Sequence, residues 1–154
     1  MPSFRSERSV RHRAEQMFDL VADVERYPEF VPLCTSLRVR NRRPDGQGRE
    51  TLIADMSVGY KMIREKFTSR VVLDKPRLRV VVEYIDGPFS HMENIWTFRD
   101  EPSGGRSLVT FFIDYEFRSR TLGALMGSMF DAAFRRFAQA FEERANAIYT
   151  TSPS

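Results

Sequence analysis

A single change of rhythm constrains this chain more than any other feature. From Thr121 onward, Leu122, Leu125, Met126, Met129, Phe130, Ala133, Phe134, Phe137, Ala138 and Phe141 recur at i, i+3 and i+4. That is the period of an amphipathic α-helix. The pattern continues through Ala145 and Ile148 to near Tyr149, with Arg135, Arg136, Glu142, Glu143 and Arg144 on the wet side. At 1.5 Å per residue such a helix is about 40 Å long. It outreaches any strand and can lie across a whole sheet. Between Cys34 and Phe117 the period is two instead.

The period-two region reads as successive strands separated by turn residues. Leu37 and Val39 alternate with Ser36, Arg38 and Arg40, and Pro44-Asp45-Gly46-Gln47-Gly48 follows as a turn. Leu52, Ala54, Met56 and Val58 form the next apolar set, with a bend at Gly59-Tyr60-Lys61. Ile63, Glu65, Phe67, Ser69 and Val71 share one side of the strand after it. Leu78, Val80, Val82 and Tyr84 lie between turns at Asp74-Lys75-Pro76 and Asp86-Gly87-Pro88. Met92, Asn94, Trp96 and Phe98 precede a loop at Glu101 to Gly105, and Val109, Phe111, Ile113, Tyr115 and Phe117 close the series. Short connections and one wet face favour an antiparallel meander.

Upstream, Ser3 to Val10 alternates as an edge strand, and Ala14 to Val24 has the apolar face of a short helix. Pro28 is placed to open a second short helix, and Pro32 to stop it, leaving an aromatic knuckle at Tyr27 to Leu33. Arg5, Arg8, Arg11 and Arg13 have the charge of an organelle presequence. The strand pattern starts at Ser3 and already includes Arg5 and Arg8, and no apolar stretch follows Met1 as a secretory leader would require, so no cleavage is expected.

The whole is an α+β helix-grip fold: a curved antiparallel sheet of about seven strands, two short helices, and one long C-terminal helix packed across the sheet. A chain of 154 residues suits a single domain over residues 1–150, with 151–154 as a tail. One cysteine, Cys34, excludes an internal disulfide and a multi-cysteine metal site. The formal charge of +3 is far from that of a dedicated nucleic-acid binder, and DNA is not an expected partner. No apolar run reaches the ~18 residues of a membrane span.

Several short motifs, in this order, carry a resemblance. They are Tyr27-Pro28-Glu29-Phe30-Val31-Pro32-Leu33-Cys34, Phe67-Thr68-Ser69-Arg70-Val71, Asp86-Gly87-Pro88-Phe89 and Trp96-Thr97-Phe98. Tyr115-Glu116-Phe117-Arg118-Ser119, Met129 to Phe134 and Phe141 to Ala145 complete the set. Together they resemble the coenzyme Q-binding family of START-like, polyketide-cyclase-related domains, over nearly the whole chain. Two positions depart from the pattern: Leu33, where many members have an aromatic, and Met62, where glycine is frequent. The resemblance implies binding of ubiquinone or a similar isoprenoid lipid in support of respiratory electron transfer. The same family includes a bacterial ribosome-association toxin acting on the large subunit, which makes the ribosome the alternative partner. A cytoplasmic protein, peripheral at the inner face of a bacterial membrane, is the expected localisation.

The candidate ligand-binding residues lie on the apolar side. The knuckle supplies Tyr27, Phe30 and Leu33; the strands supply Met56, Ile63, Phe67, Met92, Trp96, Phe111 and Tyr115; the long helix supplies Leu125, Met126, Met129 and Phe130. A close-packed core accounts for many of them. The alternative is a cavity whose adaptable methionines refit around a ligand. Glu65 and Asn94 share the inward faces, and each needs a polar partner. That partner is either a neighbouring side chain or the polar head of a ligand. Gly123 and Gly127 each cost the long helix roughly 1 kcal/mol against alanine, which fits either a close contact or a portal.

Catalytic groups are not found. His12 and His91 fall on separate elements, no metal-ligand spacing occurs, and Cys34 has no evident base partner. No phosphate loop, nucleophile elbow or acid–base set is present, so no enzyme activity, cofactor or metal is expected. Arg38, Arg40, Arg42, Arg43 and Arg49 gather around one hairpin as a basic patch, suited to solubility, anionic lipid or RNA phosphate.

Overall fold

The structure is a computed structural model and describes residues 3–149. The tail at 151–154 lies outside the described residues. Seven antiparallel strands make one curved sheet, in the order β1-β7-β6-β5-β4-β3-β2. They are β1 (Ser3–Val10), β2 (Cys34–Pro44), β3 (Arg49–Tyr60), β4 (Ile63–Asp74), β5 (Arg79–Asp86), β6 (Phe89–Asp100) and β7 (Ser107–Phe117). Helix α1 (Ala14–Ala22) and a 3-10 helix (Val24–Glu29) join β1 to β2, and α2 (Arg120–Ile148) ends the described chain. This is the helix-grip architecture expected from the change of period.

Each strand buries the face its alternation marked. Leu52, Ala54 and Val58 on β3, Val71 on β4, Val80 on β5, Met92, Trp96 and Phe98 on β6, and Val109, Phe111, Ile113 and Tyr115 on β7 are all buried. A one-residue slip would turn every one of them to solvent. The turn Lys61-Met62 joins β3 to β4 with Tyr60 opposite Ile63. Gly87 is needed for space: a Cβ there would sit 2.5 Å from that of Phe67, and its φ is +148°.

Two local expectations are corrected. The second short helix does not open at Pro28; it begins at Val24 and carries Pro28 inside it. The ring removes one backbone donor there, and the turn still closes, because Phe30 N donates to Tyr27 O at 3.1 Å. Strand β2 runs on to Pro44, through a register shift between Arg40 and Arg43 where Asn41 has a φ of +56°. A bulge of this kind lets a strand continue past residues that would otherwise end it.

Helix α1 buries Met17, Phe18, Leu20 and Val21 and packs over β5, β6 and β7. Helix α2 lies along β7 and β1. Its buried stripe is Met126, Phe130, Ala133, Phe134, Ala138, Phe141 and Ala145. The other half of the sheet, β2 to β5, meets α2 through side chains that reach across a gap.

Candidate ligand-binding site

That gap is an apolar cavity of about 90 Å³. Strands β3 to β7 supply its floor: Ala54, Met56 and Val58; Phe67, Ser69 and Val71; Val80 and Val82; Phe89, Met92, Asn94 and Trp96; Ile113. Phe130, Ala133, Phe134, Phe137 and Phe141 of α2 form the roof, and Val24, Tyr27, Val31, Pro32, Leu33 and Leu37 close the side. Leu33 holds a φ of +69°, and its carbonyl accepts from Gly59 N at 3.0 Å, which turns the chain into β2.

Half of the residues singled out from sequence meet here: Tyr27, Leu33, Met56, Phe67, Met92, Asn94, Trp96 and Phe130. The others do not line the cavity. Phe30 stands behind the wall, its ring centroid 5.0 Å from Phe141 and 6.1 Å from Tyr27. Phe111 is sealed between Phe4, Trp96 and Phe137, and Tyr115 between Phe89, Phe117 and Phe134. Met126 is buried packing under α2. Ile63, Glu65 and Met129 are half-buried outside the lining, and Leu125 is 62% exposed. The reason is common to all of them. Periodicity assigns a face but not a depth, and the cavity occupies only the stretch where sheet and helix diverge. The same limit hid Phe89, Phe134, Phe137 and Phe141, whose repeat reads equally as solid core.

Three polar side chains on the wall decide what chemistry is available. Asn94 Nδ2 donates to Phe112 O at 2.8 Å, and Asn94 Oδ1 accepts from Trp96 Nε1 at 3.1 Å. The asparagine thus finds protein partners and keeps a second N–H free. Tyr27 donates its hydroxyl to Val21 O, and burial pushes its phenol far above the usual range. Ser69 is buried and makes no side-chain hydrogen bond among the described residues. The lining contains no carboxylate, histidine, lysine or arginine.

Elsewhere, His12 Nε2 lies 2.7 Å from Asn146 Oδ1, and His91 Nε2 lies 3.1 Å from Asp114 Oδ2. Burial pushes the Cys34 thiol up to about 11, the behaviour of a packed cysteine and not of an activated nucleophile. Among the described residues no three His, Cys, Asp or Glu side chains gather as a metal site.

With this geometry in hand, a family model described as polyketide cyclase/dehydrase and lipid transport matches residues 10–142. The chain belongs to that family. The ribosome association toxin RatA of Escherichia coli K12 is 31% identical over 150 residues, covering 97% of this chain and 90% of the toxin. A mitochondrial coenzyme Q-binding protein of Xenopus laevis is 32% identical over 139 residues, 88% of this chain and 54% of that protein. Among solved structures, an 18 kDa protein of Caulobacter crescentus has a TM-score of 0.77 at 35% identity, covering 96% of this chain and 98% of that one. An aromatase/cyclase of Streptomyces, at 19% identity and a TM-score of 0.75 over 94% of this chain and 93% of its own, shares the fold.

In this family member the arginine hairpin is largely neutralised. Arg40 Nε donates to Asp55 Oδ2 at 2.8 Å, Arg49 to Asp45 at 3.1 Å, and Arg42 to both Glu25, at 3.0 Å, and Glu50. Arg40, with Thr68, holds the Asp55 carboxyl below its ordinary range. Arg38 and Arg43 are exposed and have no ion-pair partner among the described residues. The five-arginine patch expected from sequence is therefore a two-arginine patch within an ion-pair network.

Proposed function

We propose that the protein binds a hydrophobic ligand with a small polar head, a lipid quinone of the ubiquinone type, without performing chemistry on it. The observation that carries this reading is the cavity wall. It is apolar except for Ser69, Asn94, Tyr27 and the Trp96 N–H, and none of these groups exchanges a proton near neutral pH. Small-molecule sites have this composition, a hydrophobic lining with few polar groups that set orientation. A quinone carbonyl accepts hydrogen bonds, and the Ser69 hydroxyl and the free Asn94 N–H are donors. Those two residues lie on β4 and β6, separated by β5, so they reach the head group from different strands.

The closed volume bears on mechanism. Ligand pockets usually span roughly 300–1,000 Å³, so an isoprenoid chain enters only as the roof lifts or side chains swing aside. Shielding and hand-over, with uptake gated by α2, fit such a cavity.

Extraction of the purified protein with organic solvent, followed by mass spectrometry, tests the class directly. A co-purified quinone is expected, and a clean extract alongside bound ribosomal RNA reverses the conclusion. Short-chain ubiquinone should also quench Trp96 emission saturably. Ser69→Ala should leave stability unchanged and weaken that binding roughly two- to tenfold, the worth of one hydrogen bond.

A second reading, association with the ribosome, is supported by the toxin relative, which aligns over nearly its full length. Arg38 and Arg43 are the residues available to it. If they are its surface, Arg38→Gln/Arg43→Gln should reduce co-sedimentation with ribosomes more at low salt than at high salt.

A further inference from the structure

Five large hydrophobic side chains are exposed among the described residues: Tyr60, Met62, Ile85, Leu125 and Ile148. The antiparallel topology brings the first four to one end of the molecule. The β3–β4 turn holds Tyr60 and Met62, and Met62 is 95% exposed. Ile85 precedes the β5–β6 turn, where Gly87 abuts Phe67 of β4. Strand β7 finishes beside it, with Arg118 N donating to Pro88 O at 2.9 Å, and α2 starts two residues later. Leu125 lies on the flank of α2 shared with Met129 and the cavity-lining Ala133. The opposite flank carries Arg135, whose guanidinium sits 5.0 Å above the Phe4 ring of β1. Leu125 therefore lies on the flank of α2 turned away from β1, at the end of the molecule that holds the β3–β4 turn.

Charge surrounds these side chains. Lys61, Arg64, Lys66, Arg118 and Arg120 stand at this end against Glu65, Asp86 and Glu116, and Glu65 is half-buried. Two of the three lysines of the chain are here. Arg118 and Arg120 flank Ser119, the N-cap of α2. A helix N-terminus favours acids and disfavours cations, and the first turn contains no acid. Helix stability does not account for arginines at that place.

We propose that this end docks on an anionic lipid bilayer, with Met62, Tyr60 and Leu125 in the acyl boundary and Lys61, Arg64, Arg118 and Arg120 at the head groups. Apolar side chains ringed by basic ones bind such interfaces through buried area and attraction to anionic lipid together. Leu33 of the cavity's side wall precedes Cys34, which pairs with Val58 close to the β3–β4 turn, so this end brings one wall of the cavity to the membrane and gives a lipid ligand a short path between bilayer and cavity. The proposal rests on the ligand-binding reading, and it places the contact away from the arginine hairpin.

The test uses the full chain, sedimented with vesicles of phosphatidylcholine alone or with one-third phosphatidylglycerol. Binding to the anionic vesicles is expected, weakening as salt rises. Met62→Asp and Lys61→Glu/Arg120→Glu should each weaken it about tenfold or more. Both changes are on exposed side chains, and short-chain quinone quenching of Trp96 in the absence of vesicles should be unaffected. Arg38→Gln/Arg43→Gln should bind vesicles like the parent. Docking at this end is overturned if the parent ignores both vesicles, if the tip variants bind like the parent, if the arginine-hairpin variant is the one that fails, or if the tip variants lose ribosomal RNA and keep vesicles. Tip-dependent vesicle binding without quinone quenching supports the surface and removes the quinone.

Discussion

Between Phe134 and Tyr149, α2 is tied by polar side chains to four other parts of the fold. Glu142 accepts from Arg8 of β1 at 2.6 Å, and Arg144 donates to Glu29 of the 3-10 helix at 2.7 Å. Asn146 meets His12 before α1 at 2.7 Å, and the Tyr149 hydroxyl donates to Gln16 O of α1 at 3.1 Å. Between Arg120 and Ala133 no side chain of α2 makes a hydrogen bond or ion pair with another element among the described residues. That half is held by the rings around Phe130 and by buried Met126, and it carries Gly123, Gly127 and exposed Leu125. One continuous helix thus has an anchored half and a loosely held half. The loose half supplies Phe130 and Ala133 to the cavity roof, and the anchored half supplies Phe134, Phe137 and Phe141. Low local stability is where sub-global opening occurs, so a roof that hinges at its loose half is the expectation.

The largest test of the asymmetry compares one residue from each half. Phe141 is 1% exposed and touches Tyr27, Phe30 and Trp96 at ring-centroid distances of 5.2, 5.0 and 4.9 Å. Phe141→Ala should cost about 3–5 kcal/mol, as expected for an aromatic removed from a tight core. Leu125→Ala should change stability by no more than about 0.5 kcal/mol. Urea denaturation of the two variants measures both. Comparable losses would mean that the first turns of α2 are packed as firmly as the last, and the hinged roof fails.

A smaller effect reports on the joint opposite the roof, where the 3-10 helix leads into β2. Cys34 is buried there, and burial alone raises its thiol from about 9 to about 11. A group whose folded pKa is raised contributes stability that is fully present below its unfolded value and lost as pH rises through its folded one. Stability should therefore fall between about pH 9 and pH 11, by on the order of 2–3 kcal/mol for this thiol. Burial raises the Tyr27 phenol in the same direction, so it continues the loss at higher pH. Cys34→Ala should flatten the pH 9–11 segment and leave the rest. An unchanged slope would show that this joint already admits water, like the loose half of α2.

The sequence made the inward faces of β6 and β7 legible and left the depth of α2 over the sheet obscure, for a physical reason. Periodicity reports which face of an element meets apolar surroundings. Where helix and sheet touch, facing inward and being buried coincide, and the inward sets of Met92 to Phe98 and Val109 to Tyr115 were correct in every member. Where they diverge, the same period covers core, cavity wall and exposed rim, so Met126, Phe130 and Leu125 looked equivalent, yet the first is buried packing, the second lines the cavity and the third is exposed. Asn94 could be recognised as a polar residue needing a partner, but Phe112 O is brought to it only by the pairing of β6 with β7, while Trp96 Nε1 comes from two residues along the same strand. The arginines of the β2–β3 hairpin were visible as charge, while the acids that pair with them are set by the fold: Asp55 and Glu50 are brought opposite by strand pairing, and Glu25 comes from the 3-10 helix.

The finest test concerns Gly123 and Gly127. A Cβ built at Gly127 meets nothing within 4 Å, and one at Gly123 meets only the Phe117 side chain, at 3.8 Å and beyond. Neither glycine has a positive φ. Close approach therefore does not explain them, and overpacking is not the expected result of enlarging them. What remains is their effect on the helix itself. Gly123→Ala and Gly127→Ala should each stabilise the protein by roughly 1 kcal/mol or somewhat less, by restricting the unfolded chain and favouring the helical backbone. If the loose half must lift for a ligand to pass, the same changes raise the barrier while the cavity contacts stay as they were. Stopped-flow quenching of Trp96 by short-chain quinone should then give slower uptake and slower release, with the ratio of the two rates nearly constant. Thermal unfolding of the double variant supplies the stability half of the measurement. A more stable double variant with unaltered rates would mean that ligand reaches the cavity without lifting this part of α2, and the path would have to run past the Tyr27 to Leu33 knuckle instead.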